Sequence, residues 1–258
     1  MLSLTQIQSY YPTNLQQFSK GLLREYLQYK ILDLIFGHKY GSKLSFIGGT
    51  ALRIIHGNSR FSEDLDFDNF GLQAEEFEDI TVAVKKGLEL EGFVVEMQNV
   101  YKGAYHCKIR IPKILFENNL ASMEAEKFLI LIDTVGHYFE YIPEKIIINK
   151  FDVFTTINVT PLSLLLSQKI FAVFCRNRAK GRDFFDLIFL FGKNIEPNYD
   201  YLKVKIGLDN KTELKQKLLE KCLTLDFVQL NQDVQPFLFN PNDTRVEKFV
   251  EYFKVLQV

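Results

Sequence analysis

The sequence has no tryptophan, and only three cysteines and seven prolines among its 258 residues. Cys107, Cys175 and Cys222 are odd in number and far apart, with no CxxC spacing. That pattern excludes a disulfide framework and a cysteine-based zinc site. No apolar run approaches the roughly 18 to 20 residues a membrane-spanning helix needs. The start, MLSLTQIQSYYPTN, lacks both the basic opening and the apolar stretch of a signal peptide. These absences predict a protein of the reducing cytoplasm with no membrane contact. An excess of one charge is missing too. The formal net charge is -1, so any nucleic-acid partner must be met by local basic patches and not by a general field.

What is present is ordinary globular composition, 47% hydrophobic and 24% charged, in a chain long enough to bury a sizeable core. Apolar residues at helical spacing predict a helix over 13–36, and KLSFIGG reads as a short strand ending in glycines. TALRIIHG gives two helical turns and DLDFDNF a second strand. A helix follows over 73–91, and then come three strands, FVVEMQNV, AYHCKIRIPKI and KFLILIDTV. From Thr160 the composition turns helical, with Thr160 as N-cap and Pro161 at the first helical position. Two helices are expected within 161–191, and others at 211–223 and 243–256. The reading is α+β to about residue 158 and all-helical over 159–258.

The chemistry concentrates in FIGGTALRIIHGNSRFSEDLDFDNFG, residues 46–71. Gly48 and Gly49 follow a strand and open a helix, where backbone can approach a phosphate closely and N–H groups attract it. Asp64, Asp66 and Asp68 then recur at every second position, so a strand would turn all three to one face. Crowded carboxylates tolerate one another when divalent cations neutralise them. Their hard oxygens suit Mg²⁺ or Mn²⁺ rather than a soft metal. Two such ions held between carboxylates and phosphates serve in-line displacement at phosphorus. Asp64 and Asp66 are the expected metal ligands. Asp68 is expected to be carried off the site by strand twist and the NFG turn.

GGT followed by RFSEDLDFD resembles the nucleotidyltransferase superfamily, and more narrowly the AbiEii/AbiGii toxin branch with its GGTAL…R-x-S-x-D-L-D-F signature. TPLSLLLSQKIFAVFCRNRAKGRDFFDL resembles the helical motif of that branch, a lysine helix followed by Arg-Asp-x-x-Asp-Leu. The motifs together span residues 46–191. Fourteen residues separate Gly49 from Asp64, slightly more than in the superfamily at large and in keeping with the branch. The resemblance implies a nucleotidyltransferase-fold core with a mixed sheet flanked by helices over 1–158, and a helical domain over 159–258 that contributes Lys169 to the site. It implies transfer of a nucleoside monophosphate from an NTP to an acceptor, the 3′ end of tRNA above all, with pyrophosphate released. It also implies a toxin role restrained by a cognate antitoxin.

Residue roles follow from that likeness and from chemistry. Gly48 and Gly49 frame the triphosphate and Thr50 adds a hydroxyl donor. Ser62, two positions before Asp64, falls where the family places an active-site serine. The third carboxylate usual in the superfamily, as metal ligand and acceptor of the hydroxyl proton, is assigned to Asp133, ahead of Glu124 and Glu126. Lys169 offers a compact ammonium to the triphosphate or the departing pyrophosphate. Arg176, seven residues on, supports it as a nucleotide contact, and Asp183 and Asp186 orient the pair or touch the nucleotide. Arg176, Arg178, Lys180 and Arg182 form one basic grouping fit for a phosphate backbone. Lys108 and Arg110, alternating on a strand, could line an acceptor groove. His38, His56, His106 and His137 show no ligand spacing and receive no role. Two other readings stay open: a nucleotidyltransferase that modifies hydroxyl side chains of proteins, and a nucleotide-binding module without chemistry.

Overall fold

The chain divides into two compact units, Met1–Ala51 with Phe61–Val159, and Leu52–Arg60 with Thr160–Val258. The computed structural model describes residues 1–136 and 139–256, so His137 lies outside the described residues. In the first unit the order is α1 (Leu4–Ser9), α2 (Ser19–Phe36), β1 (Leu44–Ile47), α3 (Gly48–Ile54), β2 (Leu65–Asn69), α4 (Ala74–Leu90), β3 (Glu96–Tyr101), β4 (Tyr105–Ile111), α5 (Ile114–Glu117), β5 (Phe128–Gly136), β6 (Glu144–Lys150) and β7 (Val153–Val159). The last turn of α3 is counted with the second unit.

The strands make one mixed sheet in the order β3-β4-β5-β2-β1-β7-β6. β2 pairs β5 and β1 pairs β7 in parallel, and the other pairs are antiparallel. Alternation sorts each strand. Phe128, Ile130, Ile132 and Thr134 of β5 are buried, whereas Leu129, Leu131, Asp133 and Val135 face the other way. α2 and α4 bring apolar residues to this core. Phe77, Ile80, Val84 and Leu88 of α4 recur at three- and four-residue intervals and are all buried. Phe46 and Phe67 meet across β1 and β2 with ring centroids 5.5 Å apart, and Phe36 of α2 lies 6.0 Å from Phe67.

The β6–β7 hairpin is absent from the sequence reading, and its turn explains why. No glycine or Asn-Gly pair marks it. Phe151 sits there at φ 59°, a conformation unfavourable for a bulky side chain. Four tyrosine rings, Tyr10, Tyr11, Tyr26 and Tyr29, surround Phe151 at 4.9 to 6.0 Å. Tertiary packing holds a turn that local chemistry does not signal.

The second unit contains α6 (Leu162–Cys175), α7 (Gly181–Phe191), α8 (Tyr199–Ile206), α9 (Lys211–Cys222), α10 (Phe227–Val234) and α11 (Phe249–Val255). α6 begins one residue later than expected, with Pro161 as N-cap and Thr160 buried before it. Phe184, Phe227, Phe249 and Phe253 form an aromatic core with centroid separations of 4.9 to 5.8 Å. None of the described helices is long and apolar enough to cross a membrane.

At Gly181 the backbones of α7 and α10 come close together. A Cβ there would overlap the backbone carbonyl oxygen of Leu230 on α10. Alanine would gain about 1 kcal/mol of helix propensity, but overpacking against backbone costs about 1 to 3 kcal/mol or more. Gly181→Ala is therefore expected to lower the midpoint of thermal or urea unfolding. A variant as stable as wild type would show that α7 and α10 are not so close.

His56 gives the unit a pH dependence. Its Nε2 is buried with no hydrogen-bond partner among the described residues. Burial first, and the charge of Lys193 second, depress its pKa from 6.5 to about 4. Between those values the unfolded chain binds a proton that the folded chain refuses, so stability is intact above pH 6.5 and is lost as pH falls towards 4. The shift is worth at most about 3 kcal/mol. In urea titrations at pH 7 and pH 4.5, wild type should lose more stability than His56→Leu. Equal losses would assign the acid sensitivity elsewhere.

Candidate functional site

β1 ends at Ile47, whose Cα partner on β2 is Asp66. The next residue, Gly48, has φ +79°, and a Cβ there would overlap the Asp66 carboxylate. Only glycine lets the chain turn at this point with that acid beside it. The Thr50 side chain is fully buried and its Oγ1 donates to the backbone carbonyl of Asp64. This fastens the glycine turn to the approach of β2. The Thr50 hydroxyl proton is thereby committed to the chain.

The approach to β2 differs from the expected strand. Ser62 and Asp64 precede β2, so alternation places only Asp66 and Asp68 on a common face. The Nε2 of buried Gln28 on α2 donates to the carbonyls of both Ser62 and Glu63 at 3.0 Å. A side-chain amide therefore holds this segment where a strand ladder was expected. Arg24, also on α2, stands near Asp64. Its guanidinium donates to the Leu129 carbonyl at 2.6 Å and lies over the Phe128 ring. Burial lowers its pKa, and the charges of Glu63 and Asp64 act in the opposite sense.

Asp133 proves to be the register partner of Asp66 across the parallel β2–β5 pair. Neighbouring strands lie about 4.8 Å apart, so the two side chains stand next to each other on one face. On its other side Asp133 pairs with His106 of β4, and His106 Nδ1 lies 2.8 Å from Asp133 Oδ1. Histidine spacing gave no hint of this, because the contact depends on strand register. Asp68 is buried and accepts the Tyr141 hydroxyl at 2.7 Å, with the Tyr141 ring 5.1 Å from Phe70.

The expected metal trio does not converge. Among the described residues no three His, Cys, Asp or Glu side chains are close enough to hold an ion by themselves. Strand geometry accounts for this, since Asp64 lies before the ladder and one oxygen of Asp133 is engaged by His106. The remaining donor set still fits a hard cation. Mg²⁺ is typically held by one or two carboxylates and completes its shell with water and substrate phosphates, and Asp66 with Asp133 supplies such an all-oxygen pair.

The second unit holds its own charged cluster. Lys169 Nζ is 3.1 Å from Asp183 Oδ1 and 2.9 Å from Asp186 Oδ2. Arg60 grips Asp186 with two contacts, Nε to Oδ1 at 2.8 Å and Nη2 to Oδ2 at 2.6 Å, and Asn58 Nδ2 donates to Oδ1 at 2.7 Å. Arg176 Nε reaches Asp183 Oδ2 at 3.1 Å. Three cations (Arg60, Lys169, Arg176) face two carboxylates, which leaves one net positive charge. Burial disfavours both charges of the Lys169–Asp186 pair. For Lys169 the two aspartates outweigh it and raise the pKa; for Asp186, Arg60 and Lys169 outweigh it and lower the pKa.

These contacts surround two of the expected site residues. The carboxylate of Asp183 is 3% exposed and lies between Lys169 and Arg176. Lys169, at 13% exposure, is tied into the cluster and is no free clamp. Arg60 was in view in the R-x-S-x-D-L-D signature, yet nothing local tells that it reaches residue 186. Removing one partner of a buried pair costs about 3 to 5 kcal/mol. Lys169→Met is thus expected to destabilise the chain by about that much, where a surface lysine would cost well under 1 kcal/mol. Urea unfolding measures it, and an unchanged midpoint would refute the buried cluster.

The comparisons agree with this geometry. The family model described as nucleotidyl transferase AbiEii toxin, type IV TA system, matches residues 32–252. The crystal structure of JHP933 from Helicobacter pylori superposes with a TM-score of 0.58 at 17% identity, over 91% of this chain and 90% of that one. A second Helicobacter pylori structure, described as a candidate nucleotidyltransferase, gives 0.54 at 17% identity over 92% and 98%. At such identity the two structures speak for the fold. No curated protein sequence matches the chain. With 221 consecutive positions matched, the chain belongs to the AbiEii nucleotidyltransferase toxin family of type IV toxin–antitoxin systems.

Proposed function

We propose that the protein transfers a nucleoside monophosphate from an NTP to a hydroxyl of an RNA acceptor, the 3′ end of tRNA, with Mg²⁺ or Mn²⁺ as cofactor. The observation that carries this reading is the register pairing of Asp66 with Asp133 beside the glycine turn. In this reading the Gly48–Gly49 turn faces the triphosphate, and Asp66 and Asp133, with Asp64 just before the ladder, would hold the metal. A metal held there would neutralise the carboxylates and supply Lewis-acid polarisation of the phosphoryl oxygens. Asp133 serves the acceptor. With Oδ1 engaged by His106, its other oxygen takes the hydroxyl proton as the acceptor oxygen bonds to the α-phosphorus. The α–β anhydride bond breaks and pyrophosphate leaves. Ser62 remains a candidate contact at the mouth of this segment. Lys169 and Arg176 keep the buried acids of the second unit, Asp183 and Asp186, ionised. A cognate antitoxin is the expected restraining partner.

Incubation with each α-labelled NTP, Mg²⁺ and total cellular RNA or protein is the direct test. Label should enter RNA; label in protein would favour the protein-modifying reading, and none would favour a binding module. Asp66→Asn should reduce transfer by at least about 10³-fold with the fold unchanged by circular dichroism, since preorganised charge at the reacting phosphate is lost. Expression of wild type in a bacterium should slow growth, and expression of the Asp66→Asn variant should not. Activity of that variant near the wild-type level would refute the metal role.

A further inference from the structure

The carboxylate row does not end at Asp133. His106 continues it onto β4, and the next two residues on the same face of that strand are Lys108 and Arg110. Their register partners on β5 are Leu131 and Leu129, and Leu129 is 39% exposed. Along an antiparallel strand each step of two residues covers about 6.8 Å. The face therefore presents a cation about 7 Å and another about 14 Å from the acids, in a single line.

What separates these two cations from most others in the unit is the lack of a partner. Among the described residues neither the Lys108 nor the Arg110 side chain makes a hydrogen bond or ion pair. The nearby acids are engaged by other groups. Glu96, the register partner of Arg110, holds Lys127 at 2.7 and 2.8 Å. Asp133 holds His106, and Glu126 holds Lys20 at 2.9 Å. Two adjacent half-buried cations left unpaired on a chain of net charge -1 call for an anion from outside.

We infer that the outer face of β4 binds the phosphodiester backbone of a single-stranded RNA acceptor and leads its terminal hydroxyl to Asp133. The inference rests on the proposed transfer to RNA and adds the surface that holds the acceptor. The charges complement one another step by step: the terminal nucleotide lies at Asp133, the next phosphate at Lys108 and the one beyond at Arg110. The Arg110 fork suits two oxygens of one phosphate. Leu129 and Leu131 flank the line and offer apolar surface to sugars and bases. A single file of cations on one strand matches one extended chain, whereas a duplex would present two phosphate rows.

The test separates binding from chemistry. Asp66→Asn protein is titrated with a fluorescent short single-stranded RNA bearing a free 3′ hydroxyl, with and without Lys108→Gln and Arg110→Gln together. The double substitution should weaken binding about tenfold or more and reduce the slope of log affinity against log salt by about 1.4, at about 0.7 per phosphate. Lys145→Gln, an exposed cation on β6, should leave binding unchanged. In the otherwise wild-type enzyme the double variant should raise KM for RNA with kcat preserved, and its thermal midpoint should match wild type. Unchanged RNA affinity and KM while wild type still labels RNA would overturn the inference alone. Tighter binding of a glutamate-rich peptide than of the RNA would overturn it in favour of an acidic protein surface. Failure of wild type to label RNA would overturn both the inference and the reading beneath it.

Discussion

Two carboxylates of like charge, Asp66 and Asp133, stand side by side on adjacent strands, and much of the first unit is arranged around that juxtaposition. Such a pair is costly to hold together, since at short range like charges disfavour ionisation of both. The chain meets the constraint without a bulky neighbour. Glycine at position 48 leaves the space beside Asp66 that a Cβ would fill, Thr50 fastens the turn, and His106 takes one oxygen of Asp133. Asp68, the third acid of the alternating run, is kept apart by Tyr141. The acids are thus given different environments, which allows them different roles.

The second unit solves the opposite problem. Asp183 and Asp186 are nearly inaccessible, and an unpaired carboxylate at such depth would protonate or unfold the unit. Arg60, Asn58, Lys169 and Arg176 surround them, and the bidentate Arg60 contact supplies the geometry that makes a buried pair tolerable. Arg60 comes from the short excursion Leu52–Arg60, which this cluster and the cation–π contact of Arg53 with Phe239 fasten to the unit. The same signature thus provides a carboxylate strand to one unit and a buried arginine to the other.

Legibility in the sequence followed the range of the interaction. β1, β2, β4, β5, α4 and α6 were readable because period-2 and period-3.6 burial is written locally. The glycine pair and the alternating aspartates were readable for the same reason. The assignment of Asp133 needed the family likeness, since nothing local says which strand lies beside β2. His106, Gln28 and Tyr141 were invisible, because each acts through a partner 27 to 73 positions away. Asp64 was read one step too far into β2, where a side chain of α2 replaces the ladder. The β6–β7 hairpin was lost because Phe151 takes a glycine-like conformation on the strength of its tyrosine neighbours.

A near-zero net charge therefore says little about where charge acts. Most of the cations in this chain that have acids nearby are paired with them, as Lys30 is with Glu91 and Asp152, and Lys150 with Glu25. Those pairs hold helices and strands together and carry no field to the outside. An acidic pair, Asp66 and Asp133, and the two cations Lys108 and Arg110 of β4 stand on neighbouring strands of one sheet. Neutrality of the whole chain keeps that contrast local, because no general field blurs it.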